Sequence, residues 1–141
     1  MNGTYANLIF MDEETMSKVQ RIWNSPKGKL ENGWHPAHPT LYLKKEVYNK
    51  IGFFNLNYRI AADYDFMIRV MKDKNIKLEY INDYIVYMRT GGASTAGIKG
   101  YIKNLREANL VLKSNKVKHT YIVNFKRILK TIKEMIVSKK A

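Results

Sequence analysis

Ala61-Ala62-Asp63-Tyr64-Asp65-Phe66-Met67-Ile68-Arg69, residues 61–69, reads as the start of a helix running from Ala62 to Lys74. Phe66, Met67, Val70 and Met71 recur at helical spacing and supply its buried face. Asp63 and Asp65 stand in its first turn, where the helix dipole favours negative charge. Carboxylates two residues apart cannot share one helix face. Both can simply stabilise the helix N-terminus, with Asp65 pairing Arg69 four residues on. Alternatively one turns into a cleft, where an acidic neighbour can tune a carboxylate into a general base. Spacing alone favours the first reading.

Outward from this helix the chain alternates short elements. Upstream, Tyr5 to Met11, a turn at Asp12–Glu14 and a return strand from Thr15 to Trp23 predict a β-hairpin. Ser25 to Lys29 is a loop by its Pro and Gly content, and Gly33 to Pro39 is a second, whose two prolines exclude a helix. Thr40 to Leu43 is a short strand. Lys44 to Ile51 is a short helix stopped by Gly52, and Asn55 to Arg59 is a loop. Downstream, Ile76 to Ile81 and Tyr84 to Arg89 are strands separated by Asn82-Asp83. Thr90 to Gly97 is a loop in which Ser94 or Thr95 caps a helix from about Lys99 to Lys113. A further helix follows Lys118. The fold class is therefore mixed α/β, a short mixed sheet with helices at the C-terminal end.

The 141 residues carry a formal net charge of +13, and the charge is not evenly spread. Residues 99–141 hold ten Lys and two Arg against two Glu, or +10, which leaves +3 for residues 1–98. The chain divides accordingly into a body, 1–98, and a basic helical extension, 99–141. Within the extension Tyr121, Ile122, Phe125, Ile128, Leu129, Ile132, Met135 and Ile136 recur at three- and four-residue steps, with lysines between them. This is a cationic amphipathic helix. Its apolar stripe can pack on its own domain or a partner subunit, or residues 120–137 can dock on an anionic membrane surface. Nucleic acid suits it less, because this part of the chain lacks the aromatic and Gly-rich loops that stack bases. Zero cysteines exclude disulfides, thiolate metal sites and cysteine nucleophiles. No apolar run is long enough to span a bilayer, and the N-terminus lacks the features of a secretory leader. The expected location is cytoplasmic, or peripheral on the inner face of the cell membrane.

Two further segments bear chemistry-capable side chains. His35-Pro36-Ala37-His38-Pro39 holds two histidines in an extended, proline-fixed stretch with no adjacent carboxylate cluster, which suits cleft-lining roles better than metal ligation. Arg89-Thr90-Gly91-Gly92-Ala93-Ser94 places an arginine at a strand end before a Gly-Gly loop, an arrangement that can hold a phosphate and that also describes a plain loop. No P-loop, dinucleotide fingerprint or zinc-protease motif is present.

Read together, His38-Pro39-Thr40-Leu41-Tyr42, Lys45-Glu46-Val47-Tyr48 with Ile51-Gly52-Phe53-Phe54-Asn55, Ala61 to Arg69, and Met88 to Ser94 form an ordered series. Across roughly residues 5–112 the chain resembles the C-terminal, acceptor-side half of inverting family 2 glycosyltransferases. These are bacterial enzymes that build capsule, O-antigen and exopolysaccharide units. The resemblance implies a partial GT-A fold. It also implies transfer of a sugar from a nucleotide-sugar donor to a saccharide or lipid-linked acceptor, with Asp63 as the base. Ala62 stands where the family has a Glu. The resemblance further implies that Asp65 and Arg69 support the site, that His38 and Thr40 line the cleft, and that Arg89, Gly91, Gly92 and Ser94 lie near the diphosphate or acceptor. The complete family enzyme uses Mg²⁺ or Mn²⁺ bound by an Asp-x-Asp motif in its nucleotide-binding half. No residues here match that motif, so the chain is expected to be a fragment that relies on a separate N-terminal half or on self-association. The competing expectation is a non-catalytic basic module for membrane or nucleic acid, or an inactive remnant.

Overall fold

The computed structural model describes residues 1–91 and 97–140. Strands β1 (Gly3–Met11), β2 (Val19–Trp23), β3 (Tyr42–Leu43) and β4 (Leu78–Arg89) form one mixed sheet. Helices α1 (Lys45–Ile51), α2 (Ala62–Lys72), α3 (Gly97–Ser114) and α4 (Thr120–Lys140) complete the fold. β1 is the hub: it pairs antiparallel with β2 and β3 and parallel with β4 along its whole length. The mixed α/β expectation holds, with the helix ends within a few residues of those predicted.

Three local expectations are corrected. The return strand begins at Val19 rather than Thr15, because Asp12 folds the intervening residues into a turn. Its carboxylate accepts the N–H groups of Thr15 at 2.8 Å, Ser17 at 2.7 Å and Lys18 at 2.6 Å. The two strands expected on either side of Asn82-Asp83 are one strand interrupted by a bulge, since Ala6 pairs with Ile81 and Asn7 with Tyr84. The cause is Asn7, buried within the sheet. Its Oδ1 accepts the Tyr80 hydroxyl at 2.7 Å and the Ser25 N–H at 2.8 Å, and its Nδ2 donates to Asn82 Oδ1 at 3.2 Å. A buried amide needs these partners, and the bulge brings Asn82 to it. Finally, the proline loop holds one turn of 3-10 helix over His38–Thr40. Pro39 is tolerated there because the first turn has no internal partner for its missing N–H.

α2 packs on both sides. Tyr64, Met67 and Ile68 meet Ala108, Val111 and Leu112 of α3 and Val123 of α4, whereas Phe66 and Val70 meet Val47 of α1 and Leu78 of β4. A third cluster, Leu8, Trp23 and Ala37, lies against the sheet. Burying each large side chain of this kind stabilises by about 1.5–3 kcal/mol. Helix α2 is thereby fixed from two sides, and the residues of its first turn are fixed with it.

α4 seats itself by its polar side. Thr120, Val123, Asn124 and Ser138 face inward and are buried, whereas Tyr121, Phe125, Leu129 and Ile136 are exposed. Apart from half-buried Ile128, which lines a cavity, the apolar stripe does not pack on its own domain. Among the described residues β2 pairs only with β1, so its outer N–H groups need polar partners. Ser138 Oγ accepts the Ile22 N–H at 2.8 Å, and Glu134 Oε2 meets Arg21 Nε at 2.8 Å. Gly33 permits the close approach of α4. Its φ is +74°, and a Cβ there would lie 2.5 Å from the backbone nitrogen of Arg127. Gly33→Ala therefore adds a left-handed-region penalty of about 1–2 kcal/mol to the displacement of α4. It should lower the urea midpoint by more than that penalty alone accounts for, whereas an unchanged midpoint would contradict this seating.

Candidate active site

The N-terminus of α2 is held by a residue on another helix. Glu107 of α3 accepts the N–H groups of Arg59 at 3.2 Å, Ile60 at 2.7 Å and Ala61 at 2.9 Å. Desolvation raises the Glu107 carboxyl, but these backbone bonds outweigh it and hold the group below its ordinary value. The clamp fixes the turn that presents Asp63. Asp63 Oδ1 accepts the Tyr64 N–H at 2.8 Å, and Oδ2 lies 3.1 Å from Nδ1 of His38 on the 3-10 turn. Both side chains remain partly exposed, at 33% for Asp63 and 44% for His38, so the carboxylate is oriented and still reachable.

Asp63 and His38 open onto a cavity of about 240 Å³ whose walls include Trp23, Tyr64, Tyr101 and Arg127. The Trp23 indole N–H and the Tyr64 hydroxyl are buried without a hydrogen-bond partner among the described residues. Unpaired buried polar atoms are costly, and in a cavity wall they suit a polar ligand. The Arg127 guanidinium stacks 4.6 Å from the centre of the Tyr64 ring. His35 packs edge-on against Trp23, with ring centres 5.1 Å apart, and lies equally close to Tyr64. Desolvation, with the Arg127 charge next, pushes its imidazole down to about 3, so His35 is neutral. The cavity thus combines one oriented carboxylate, two histidines, two arginines (Arg127, and Arg21 paired with Glu134) and an aromatic lining, a set suited to binding a polar, partly anionic molecule and accepting a proton from it.

The other sequence-derived residues lie elsewhere. Asp65 is buried, bonded to Arg69 Nε at 3.0 Å and to Asn115 Nδ2 at 2.8 Å, and so joins α2 to the end of α3. Arg69 also donates to the carbonyls of Ile51 at 2.8 Å and Phe53 at 2.7 Å. Thr40 is buried against β1, accepting the Ala6 N–H at 3.0 Å. Arg89 is exposed at the end of β4, and Gly91 backs onto the Glu13 carboxylate, which a Cβ would meet at 2.6 Å. Gly92 and Ser94 fall outside the described residues, as does the Ser94 or Thr95 cap. Sequence reading missed Arg127, Trp23, Tyr64 and Tyr101 as cavity residues. Arg127 lies in a segment read for its charge, and no local pattern marks the turn that brings it over Tyr64.

A divalent metal does not fit the cavity as it stands. Asp63 is its one carboxylate, and among the described residues no three His, Asp or Glu side chains converge.

Over 71 residues, 49% of its length, the chain is 30% identical to the PGL/p-HBAD biosynthesis glycosyltransferase of Mycobacterium bovis and to that of Mycobacterium tuberculosis. The chain is similar to a glycosyltransferase. The match spans 28% of each of those proteins. No protein-family model matches the chain, and no solved structure matches it. The similarity relates the chain to glycosyltransferases in general.

The Glu107 clamp generates a prediction. Glu107→Ala strands three N–H groups and should destabilise by about 1–3 kcal/mol in urea unfolding at neutral pH. The folded-state pKa is depressed below the ordinary 4.5, so the clamp's contribution is present above that pH and is lost as pH falls through the lowered value. The stability gap between wild type and Glu107→Ala should therefore narrow in acid. A gap that widens on acidification would contradict the clamp.

Proposed function

We propose that the chain is the acceptor-side portion of an inverting, family 2-like glycosyltransferase of GT-A type, acting in surface polysaccharide synthesis. The observation that carries this reading is the Asp63–His38 pair at 3.1 Å on the wall of a cavity with unpaired polar atoms. The glycosyltransferase similarity over half the chain supports it.

In this mechanism an acceptor hydroxyl enters the cavity and donates its proton to Asp63. The freed oxygen pair attacks the anomeric carbon of a nucleotide-sugar from the face opposite the leaving group. The bond to the phosphate oxygen breaks with its electron pair on the departing nucleoside diphosphate, and the sugar is transferred with inversion. His38, whose Nδ1 lies 3.1 Å from the Asp63 carboxylate, keeps that carboxylate aimed; it is a positioning residue. Arg127 offers a cation for the phosphate-bearing donor or for an anionic acceptor. Glu107 acts at a distance by fixing the turn before α2. Asp65, Arg69 and Thr40 support the same helix and strand. A complete enzyme of this kind takes Mg²⁺ or Mn²⁺, and the ligands would come from outside this chain's cavity, from an N-terminal half or a second subunit.

General-base loss typically lowers rates by about 10²–10⁴. In the enzyme completed with its N-terminal half, Asp63→Asn should accordingly reduce kcat by about a hundredfold or more in a sugar-transfer assay with a panel of nucleotide-sugars and Mn²⁺, with KM little changed. A variant retaining the wild-type rate would remove Asp63 from this role. A second reading, a non-catalytic basic binding module, draws on the +10 segment at residues 99–141. No nucleotide-sugar binding by calorimetry at millimolar ligand would favour it over catalysis by this chain alone.

A further inference from the structure

The outward face of α4 is apolar and has no partner among the described residues. Phe125 is 59% exposed, Leu129 48%, Ile132 46% and Ile136 52%, and Tyr121 and Ile122 extend the same stripe toward the helix start. Six cations and one acid lie on this helix, and the acid, Glu134, is turned inward to Arg21. At 100° per residue Lys126, Lys133 and Lys140 fall seven apart along one flank of the stripe. At the stripe's N-terminal end, beside Ile122, a second cavity of about 570 Å³ is lined by Lys72, Lys116, Lys118 and Lys126 against one acid, Glu31. No described helix is long and apolar enough to cross a membrane.

We propose that the outward face of α4 docks on the surface of an anionic lipid bilayer. Phe125, Leu129, Ile132 and Ile136 enter the boundary between headgroups and acyl chains, while the lysine row and the lysine-lined cavity meet phosphate headgroups. The charge pattern selects this occupant. A second copy would set one lysine row against another with no free carboxylate on the helix to offset it. A neutral apolar protein groove would leave the lysines unanswered. A helix with an apolar stripe and a lysine-rich flank lies in the plane of an anionic interface, gaining from buried apolar area and from headgroup attraction together. Because the inward side of the same helix carries Arg127, docking would hold the Asp63 cavity one helix diameter from the headgroups. The inference is independent of the glycosyltransferase reading, since it uses only the outer face.

Co-flotation of the full chain with phosphatidylglycerol–phosphatidylcholine vesicles and with pure phosphatidylcholine vesicles tests it. Binding is expected to the anionic vesicles, to weaken with salt and to be far weaker on the neutral ones. Lysines near an anionic surface contribute enough that replacing Lys126, Lys133 and Lys140 by Gln should lower partitioning by about tenfold to a hundredfold. Phe125→Ser with Leu129→Ser should lower it comparably. These positions are solvent-facing, so the circular dichroism spectrum and melting temperature should stay near wild type. Failure to float with anionic vesicles would overturn the proposal. So would equal binding to both vesicle types, or binding to a short DNA or RNA duplex but not to vesicles. Self-association in sedimentation, removed by the Phe125 and Leu129 substitutions and unaccompanied by vesicle binding, would assign the face to a second copy instead.

Discussion

The contact between α4 and the edge of β2 decides both faces of this protein. Arg21 meets Glu134 at 2.8 Å, and Ser138 takes up the Ile22 N–H at 2.8 Å, so the polar side of the helix is committed to the sheet. An amphipathic helix has only two sides, and the apolar one is thereby left outward. The same rotation carries Arg127 over Tyr64 and closes one wall of the Asp63 cavity. Desolvation lifts the Glu134 carboxyl above its usual range in spite of Arg21, and it lowers the neighbouring Lys130. The ion pair therefore adds little net stability and mainly fixes orientation, as partly buried pairs often do. Gly33 completes the arrangement, because any side chain there would collide with the helix backbone.

Helix α2 plays the matching role on the other wall. It is gripped by α3 and α4 on one side and by α1 and β4 on the other. The N–H of its N-cap residue Ala61 and those of Arg59 and Ile60 just before it are drawn to Glu107; Ala61 has no side chain with which to cap the helix itself. With the backbone so fixed, Asp63 needs only His38 to complete its orientation. The neighbouring Asp65 is spent on Arg69 and Asn115. Two carboxylates of one short motif thus have different tasks, the outcome that their two-residue spacing on a helix requires.

The order of elements was legible in the sequence because it rests on periodicity and on Gly and Pro punctuation. Helices α1 and α2 end close to where Gly52 and the Phe66–Met71 pattern place their boundaries. What could not be read depends on side chains that act across long separations. Asn7 turns an apparent Asn-Asp turn into a bulge from 75 residues away, through Asn82. Glu107 caps a helix whose first turn lies more than forty residues earlier. Asp63 and His38, singled out from motif and resemblance, come together in the structure, whereas Thr40, Asp65 and Arg69 are engaged in backbone and helix contacts. The amphipathic pattern of α4 was evident, but its direction was not. A moment says that a helix has two faces, and only the polar edge of β2 determines which of them is buried.

The orientation of α4 is open to direct measurement, because the chain contains no cysteine and each introduced thiol reports alone. Maleimide labelling rates of Phe125→Cys and Leu129→Cys should approach those of a free thiol, whereas Val123→Cys and Ser138→Cys should be strongly protected in the folded protein and equally fast in denaturant. The reverse order, with positions 125 and 129 protected and 123 and 138 reactive, would mean that α4 packs by its apolar stripe. Both the closed cavity wall and the outward-facing surface would then be lost.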